Sequence, residues 1–424
     1  MEVERGVRTI EEEGRVNIRH MDEFDYEGKT VLLRVDINSP IDRKTKKIVN
    51  ENRIKKSIPT IKSLLDKGAK LAIIAHQGDT LDYENLISME EHAEKLSSYL
   101  GRKVGYVDDV AGPAAQQAVK NLLPGEAVLL GNVRYLTEEV STFENAVKLA
   151  PEEMKGTYIV RNLASLMDYY INDAFAAAHR SSPSMVAFQQ VLPYAGGLLL
   201  MEEVGSLAKV LKSPAKPCVF VLGGAKISDA FGMMEQVLAS GTADQILTCG
   251  ITGEIMLLAQ GIPLGKKKEG FIKEKGLDVF IKDAQKYLAE YPGRLCWPKD
   301  LAYEEGGARK EIPVSSLPAE AMFMDVGEET IAEYEAILAS AETIFVNGPA
   351  GAYENPLFEK ATRAVWQAVA DSKAYSVIGG GDTVAAAQRF IDTSKISYVS
   401  TAGGAMVQFM SGKRLPLIAA MERK

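Results

Sequence analysis

Four short glycine-rich turns and one set of cationic side chains are the residues of this 424-residue chain whose types and spacing could do chemistry. The turns are Leu222-Gly-Gly-Ala-Lys226, Asn347-Gly-Pro-Ala-Gly351, Gly379-Gly-Gly-Asp-Thr383 and Ser400-Thr-Ala-Gly-Gly404. Each follows a strand-like apolar run: CVFVL, TIFV, YSVI and ISYV. A strand, a glycine turn and a helix start leave backbone N–H groups free to cradle phosphate. Four such turns in one half of a chain predict an open parallel sheet whose carboxyl edge holds a nucleotide. Lys226, after a glycine pair, could meet a transferring phosphoryl group. Asp382 and Thr383 offer a carboxylate and a hydroxyl for hydrated Mg2+, and Glu354 could hold ribose hydroxyls. Each alone reads as well as a helix cap or a solvated charge; together they do not.

The first half carries a different set: Asp36, Asn38, Arg53, His76, Arg134 and Arg180. Asp36 and Asn38 close a strand with both side chains on one face, though a turn-forming pair reads the same way. Arg34 lies on that face, deeper. Arg53 falls in the first turn of a helix, where the dipole disfavours a cation. His76 ends the next strand, and Arg134 and Arg180 follow two more. Like charges packed together repel unless an anion neutralises them, and guanidinium forks fit phosphate and carboxylate oxygens. This half suits a small anionic substrate. Two half-sites on two halves imply a transfer reaction.

The elements that must position these residues alternate strand and helix. TVLLRVDI at 30–37, LAIIAH at 71–76, VGYV at 104–107, AVLL at 127–130 and YYIN at 169–172 read as strands. A helix runs through residues 51–68, with Ile54, Ile58, Ile61 and Leu65 at helical spacing and Pro59 as a kink or interruption. Ser88-Met-Glu-Glu91 has capping-box spacing before a helix that stops near Gly101. The alternation predicts an α/β fold of parallel sheets covered on both faces. Residues 185–211 read as mostly helical, broken at Pro193 and Gly196-Gly197. A new βα series starts at SPAKP, 213–217, so the domain junction is placed there. KKKEG at 266–270 reads as a solvated loop. Apolar content of 46% with 25% charge fits a soluble globular protein, and no apolar run reaches the ~20 residues of a membrane span. A net charge of −8 argues against broad nucleic-acid or membrane binding. Cys218, Cys249 and Cys296 are widely spaced and read as free thiols in a reducing cytosol. No GxxxxGK[ST] or GxGxxG is present; Gly28-Lys29-Thr30 imitates the end of the former, but Glu23 stands at the first-glycine position.

From about residue 20 to the C-terminus the chain resembles phosphoglycerate kinase. The segments that carry the resemblance include LLRVDINSPI, ENRIKKSIPTIKSLL, AHQG, LLGNVRYLTEE, NDAFAAAHR, LGGAKISD, MDVGEETI, FVNGPAGAYE, IGGGDT and STAGGA. The resemblance implies two doubly wound Rossmann-like domains facing each other across a hinged cleft. The implied layout is an extension at 1–20, a substrate domain at 21–194, an interdomain helix at 195–212, a nucleotide domain at 213–407 and a segment at 408–424 that returns to the first domain. The implied reaction is phosphoryl transfer between 1,3-bisphosphoglycerate and ADP with Mg2+, giving 3-phosphoglycerate and ATP. Asp36, Asn38, Arg53, His76, Arg134 and Arg180 would bind 3-phosphoglycerate. Gly223, Gly224, Lys226, Asn347, Glu354, Gly380, Gly381, Asp382 and Thr383 would serve the nucleotide, with Asp382 reaching Mg2+ through water. Arg53 and Lys226 would be the principal clamps, with the N–H groups of Gly403 and Gly404 assisting. The expected partners are small molecules alone, with no nucleic acid or membrane, for a cytoplasmic monomer.

Three departures from the family pattern stand out. Asp79 occupies the place of an Arg in the substrate loop, where an acidic group would repel phosphate. Ala230 stands where a second Lys often follows Lys226. Ala402 replaces a glycine, at roughly 1 kcal/mol if that position needs a positive φ. Two rival readings follow: a paralogous kinase for another carboxylate or acyl phosphate, and a non-catalytic nucleotide-binding protein that keeps the fold.

Overall fold

The computed structural model describes residues 17–79, 84 and 86–422; the N-terminal extension before residue 17, and 80–83 and 85 of the segment after Asp79, lie outside the described residues. The chain forms two compact units, one of residues 1–205 with 414–424 and one of residues 206–413. The division falls inside a continuous helix, Leu198–Lys212.

The first unit is built on β1 (Thr30–Val35), β2 (Lys70–Ile74), β3 (Val104–Tyr106), β4 (Ala127–Leu129), β5 (Tyr169–Asp173) and β6 (Tyr194–Gly196). Their order is β3-β4-β2-β1-β5-β6, with every pair parallel. Parallel pairing needs crossovers, and those cover both faces, so β1 and β2 are near-continuous apolar runs, Arg34 apart, instead of alternating ones. Val31, Leu32, Leu33, Leu71, Ala72 and Ile73 are all fully buried. β4, β2, β1 and β5 are consecutive neighbours, so the four loops leaving their carboxyl ends lie side by side along one edge.

The second unit holds β7 (Cys218–Leu222), β8 (Gln245–Thr248), β9 (Leu295–Cys296), β10 (Asp300–Glu305), β11 (Ala308–Pro313), β12 (Phe323–Val326), β13 (Thr343–Asn347), β14 (Tyr375–Ile378) and β15 (Tyr398–Val399). Its main sheet is parallel, in the order β15-β14-β13-β7-β8-β9. β11, β10 and β12 form a separate antiparallel sheet that the sequence reading missed. The signal was present: Gly306 and Gly307, both at positive φ, form the two-residue hairpin turn between β10 and β11.

Several local expectations need correction. The helix Asn52–Asp66 runs unbroken through Pro59. Pro59 is exposed, so water can satisfy the Lys55 carbonyl that loses its partner. The capping box at Ser88 does not form: Ser88 Oγ accepts from Glu90 N–H, while the Glu91 carboxylate turns to the Ile48 N–H. The break at Pro193–Gly197 is β6, because Tyr170–Asn172 of β5 recruits Tyr194–Gly196 as a neighbour. KKKEG is not a solvated loop; it opens the helix Lys266–Glu274, and Lys268 is buried. Ala402 is unstrained, since Lys46 and Lys148 are the non-glycine residues at positive φ among those described. Cys218 and Cys249 are buried and reduced, and Cys296 is half-buried. The described helices include none long and apolar enough to cross a membrane.

Replacing Pro59 with Ala restores one backbone hydrogen bond in an exposed helix interior. Alanine gains up to ~3 kcal/mol there, offset by about 1 kcal/mol of unfolded-state entropy. The variant should unfold at higher urea, by about 1–2 kcal/mol; an unchanged or lower midpoint would show that the helix is already relaxed around the proline.

Candidate functional site

In the first unit the loops after β1, β2, β4 and β5 bring together the residues picked out in that half. Arg53 lies in the first turn of the helix after β1 and donates to Asp36, Nη1 to Oδ2 at 3.0 Å. That carboxylate offsets the unfavourable dipole at the helix start. Asp36 is buried, and its Oδ1 also accepts from the Asn38 N–H at 3.2 Å. The turn-forming role foreseen as the plainer reading is therefore real. Asn38 Oδ1 accepts from the Gly78 N–H at 3.0 Å, tying the β1 loop to the β2 loop.

His76 sits at the centre, buried, two residues past the end of β2. Arg34 Nη2 lies 3.1 Å from its Nδ1. A guanidinium can only donate, so Nδ1 accepts and the ring proton is on Nε2. Burial, then the charges of Arg34, Arg134, Arg53 and Arg180, hold the His76 pKa well below its ordinary value. Four guanidinium groups thus bear on one neutral imidazole. Arg34 was assigned no role from sequence; its signal was an inward-facing cation two residues before Asp36 on the same strand face.

The cations are partly neutralised by the protein itself, which the argument from repulsion did not foresee. Arg180 Nε donates to Glu144 at 2.7 Å, while its Nη2 is buried with no hydrogen-bond partner. Glu139 is buried, accepts from Ser184 N–H and Oγ at 2.6 Å each, and its charge supports Arg34. Arg134 Nη1 donates to the Glu139 carbonyl at 3.3 Å. Burial, then Arg180 and Arg34, lower its pKa to about 10, against the opposing charges of Glu139 and Asp79. Asp79 is exposed, yet Arg134 feels its carboxylate.

In the second unit the four glycine turns divide into two kinds. The N–H groups of Gly223 and Gly224 donate to the carbonyls of Asn347 and Pro349, at 3.0 and 2.8 Å. They are not free for phosphate, which corrects the reading of the first turn. A Cβ on Gly348, which has φ +89°, would stand 2.1 Å from the Gly223 carbonyl. These glycines serve backbone-on-backbone packing. Asn347 Nδ2 donates to the Gly379 carbonyl at 2.7 Å, and the Gly348 N–H donates to Thr383 Oγ1 at 2.7 Å. Thr383 is buried, so its hydroxyl braces two loops where it was expected to face a hydrated ion.

Open backbone remains elsewhere. Gly380, at φ +99°, caps the helix Gly381–Phe390, whose first N–H groups have no intrahelical acceptor. Gly403 and Gly404 have nothing within 4 Å of where a Cβ would stand. Lys226, Glu354 and Asp382 are exposed. Ala230 is buried in the helix after Lys226. A cavity of about 360 Å³ joins several of these residues; Gly224, Glu354 and Asp382 line it, as do Ile251, Phe271, Met324 and Pro349. Its wall also includes a buried ion pair, Lys268–Glu254 at 2.9 Å, that sequence reasoning missed. The signal was a single carboxylate inside the apolar helix Gly250–Ala259.

Against known proteins, a sequence model described as phosphoglycerate kinase matches residues 21–413. A phosphoglycerate kinase of Methanothermus fervidus is 42% identical over 402 residues, covering 95% of this chain and 96% of the relative. The crystal structure of phosphoglycerate kinase from Pyrococcus horikoshii superposes with a TM-score of 0.84 at 38% identity, over 95% of this chain and 98% of that one. The structure of the Coxiella burnetii enzyme gives 0.81 at 34% identity, over 95% and 98%.

The lowered His76 pKa makes a stability statement. The unfolded chain takes up this proton near the ordinary value of 6.5 and the folded chain only below it, so acid favours unfolding. His76 should remove stability as pH falls below 6.5, by up to about 1.4 kcal/mol per pH unit. Urea unfolding of His76→Gln should show a smaller loss than wild type between pH 6.5 and about 5. Equal losses would mean that His76 titrates normally.

Proposed function

The chain belongs to the phosphoglycerate kinase family, and we propose that it moves a phosphoryl group reversibly between 1,3-bisphosphoglycerate and ADP, giving 3-phosphoglycerate and ATP. One observation beyond the family match carries this reading: four guanidinium groups bear on a single buried, neutral histidine at one sheet edge. Such a cluster suits a ligand with several negative oxygens, and a buried guanidinium nitrogen of Arg180 still lacks a partner there. The first unit therefore holds 3-phosphoglycerate, and the second holds the nucleotide.

In the direction of acyl-phosphate synthesis the acceptor is a carboxylate, already ionised, so no general base is needed. Catalysis is positioning and charge neutralisation. Arg53, aimed by Asp36 and about a third exposed, neutralises the transferring group from the first unit. Lys226, exposed at the end of the β7 loop, does so from the second, with the N–H groups of Gly403 and Gly404 assisting. The amides that open the helix Gly381–Phe390 hold nucleotide phosphate, and Glu354 holds ribose hydroxyls. Gly223, Gly224, Asn347 and Thr383 act by holding the loops in place.

Mg2+ suits this donor set. The described residues contain no cluster of three His, Cys, Asp or Glu side chains, and Asp382 stands exposed beside the phosphate-binding helix start. A single carboxylate with nucleotide oxygens and water is the usual arrangement for Mg2+. When bound, the ion supplies charge neutralisation at the transferred phosphate. The remaining proposals are a cytoplasmic, monomeric enzyme whose only ligands are small molecules.

Turnover of 3-phosphoglycerate with MgATP should be measurable well above a Lys226→Ala control. Arg53→Ala should lower kcat by several orders of magnitude, as expected for an interaction made chiefly in the transition state. Arg180→Ala should mainly raise KM, by roughly 10- to 150-fold for a charge-assisted bond of about 1.5–3 kcal/mol. The reverse division would reassign the two arginines.

The exposed Asp79 motivates a second reading, a kinase for another carboxylate. Asp79→Arg should leave KM for 3-phosphoglycerate within a few-fold of wild type. A large fall in KM would put Asp79 in the pocket and favour the other substrate.

A further inference from the structure

One side chain of the antiparallel sheet of β10, β11 and β12 reaches the loop that carries Glu354. Arg309, on β11, is largely buried, and its guanidinium makes four hydrogen bonds. Nε donates to Glu311 at 2.9 Å and Nη2 to the Val326 carbonyl at 2.7 Å. Nη1 donates both to Asp325 Oδ2 at 2.7 Å and to the Leu357 carbonyl at 3.1 Å. Asp325, on β12, is fully buried. Its Oδ2 also accepts from the Ala361 N–H at 3.2 Å. Its Oδ1 has no hydrogen-bond partner and packs against Gly351, where a Cβ would stand 2.2 Å from it. The neighbouring Met324 carbonyl accepts from the Ala352 N–H at 2.8 Å.

These contacts bracket Glu354. Gly351 and Ala352 are held just before it, and the Leu357 carbonyl just after it. Arg389 Nη1 adds a bond to the Tyr353 carbonyl at 3.0 Å. Glu354 is exposed, so its backbone sets where its carboxylate can go. Glu354 lines the 360 Å³ cavity together with Met324, Gly351 and Ala352; Arg309 and Asp325 do not. Helix capping explains the buried pair poorly. Asp325 Oδ2 serves the first turn of the helix Lys360–Asp371, and a neutral Asn would serve it as well. A buried ion pair is seldom more stable than well-packed apolar side chains of similar volume. What the guanidinium adds is its planar fork, which joins β12 to the Leu357 carbonyl in a fixed geometry that a point donor cannot copy.

We infer that Arg309 is a positioning residue: by joining Asp325 to the Leu357 carbonyl it holds the loop at 351–357 in the conformation that aims Glu354 at ribose hydroxyls. Arg309 touches no ligand and acts through Glu354. The inference rests on the reading of Glu354 as the ribose residue. It also gives the antiparallel sheet a part in the reaction, as the frame that sets one loop of the parallel sheet. Loss of the clamp should weaken the contribution of the ribose hydroxyls and leave the rest of the nucleotide's binding in place.

The test is isothermal titration of the full-length protein with ADP and with 2′,3′-dideoxy-ADP, which lacks both ribose hydroxyls. The wild type should prefer ADP by about 10- to 150-fold, the ratio expected from one hydrogen bond to a charged group. Glu354→Ala should abolish that preference. The Arg309→Met/Asp325→Asn variant removes both buried charges together and leaves Glu354 in the chain. Its preference should fall to the Glu354→Ala value, with the affinity for 2′,3′-dideoxy-ADP unchanged, and adding Glu354→Ala to it should cost nothing further. An undiminished preference, or an equal loss of affinity for both nucleotides, overturns the inference; the equal loss would mark the clamp as merely structural. If that variant does not fold, Arg309→Lys decides by the same criteria, since it keeps a charge for Asp325 and loses the fork. A wild type with no preference, or a preference that survives Glu354→Ala, would instead remove the ribose reading of Glu354, and this inference with it.

Discussion

Several guanidinium groups must share one edge of the first sheet, and much of that unit is arranged around their mutual repulsion. Three devices hold it down. Carboxylates are placed against individual cations: Asp36 on Arg53, Glu144 on Arg180 and buried Glu139 facing Arg34. The histidine among them is kept neutral and used as an acceptor, at Nδ1, for a guanidinium that can only donate. Asp36 and Glu139 are buried and Glu144 half-buried, so water screens these charges less than at the open surface, while their desolvation offsets part of the gain. The countercharges do not use every donor, since Arg180 Nη2 stays buried without a hydrogen-bond partner.

The second unit solves a different problem, how to bring four strand-end loops close without losing backbone hydrogen bonds. Glycine removes the Cβ that would block the approach, and the loops then satisfy one another. Gly223 and Gly224 donate to the 347–349 loop, and that loop donates to Thr383 and the Gly379 carbonyl. Trp366, fully buried, donates Nε1 to the Thr383 carbonyl and anchors the start of the next helix from below. Gly381, Gly403 and Gly404 keep open space around them. The glycine-rich loops of this unit thus hold one another in place.

Much of this was legible in the chain. Composition and the alternation of apolar runs with helical periodicity carry the parallel α/β class, because burial on both faces demands near-continuous apolar strands. Most of the cationic edge was legible too, since Arg53, His76, Arg134 and Arg180 each come after a strand end, whereas Arg34, inside β1, was missed. Less legible were partners distant in sequence. Glu144 lies 36 residues from Arg180, and Glu254 lies 14 residues from Lys268 on another helix. Lys268 sits in a lysine run whose local pattern is that of a solvated segment; only its packing against the Gly250–Ala259 helix makes it internal.

The sequence by itself determined which residue types stand at the carboxyl ends of which strands, because strand and helix periods are local properties of side-chain spacing. It also determined where glycine permits a positive φ. Only the tertiary structure decided which amides stay open, which carboxylate faces which cation, and which loops brace one another. Those outcomes depend on contacts between segments far apart in the chain, and on burial that sets whether a charge is solvated, paired or left without a partner.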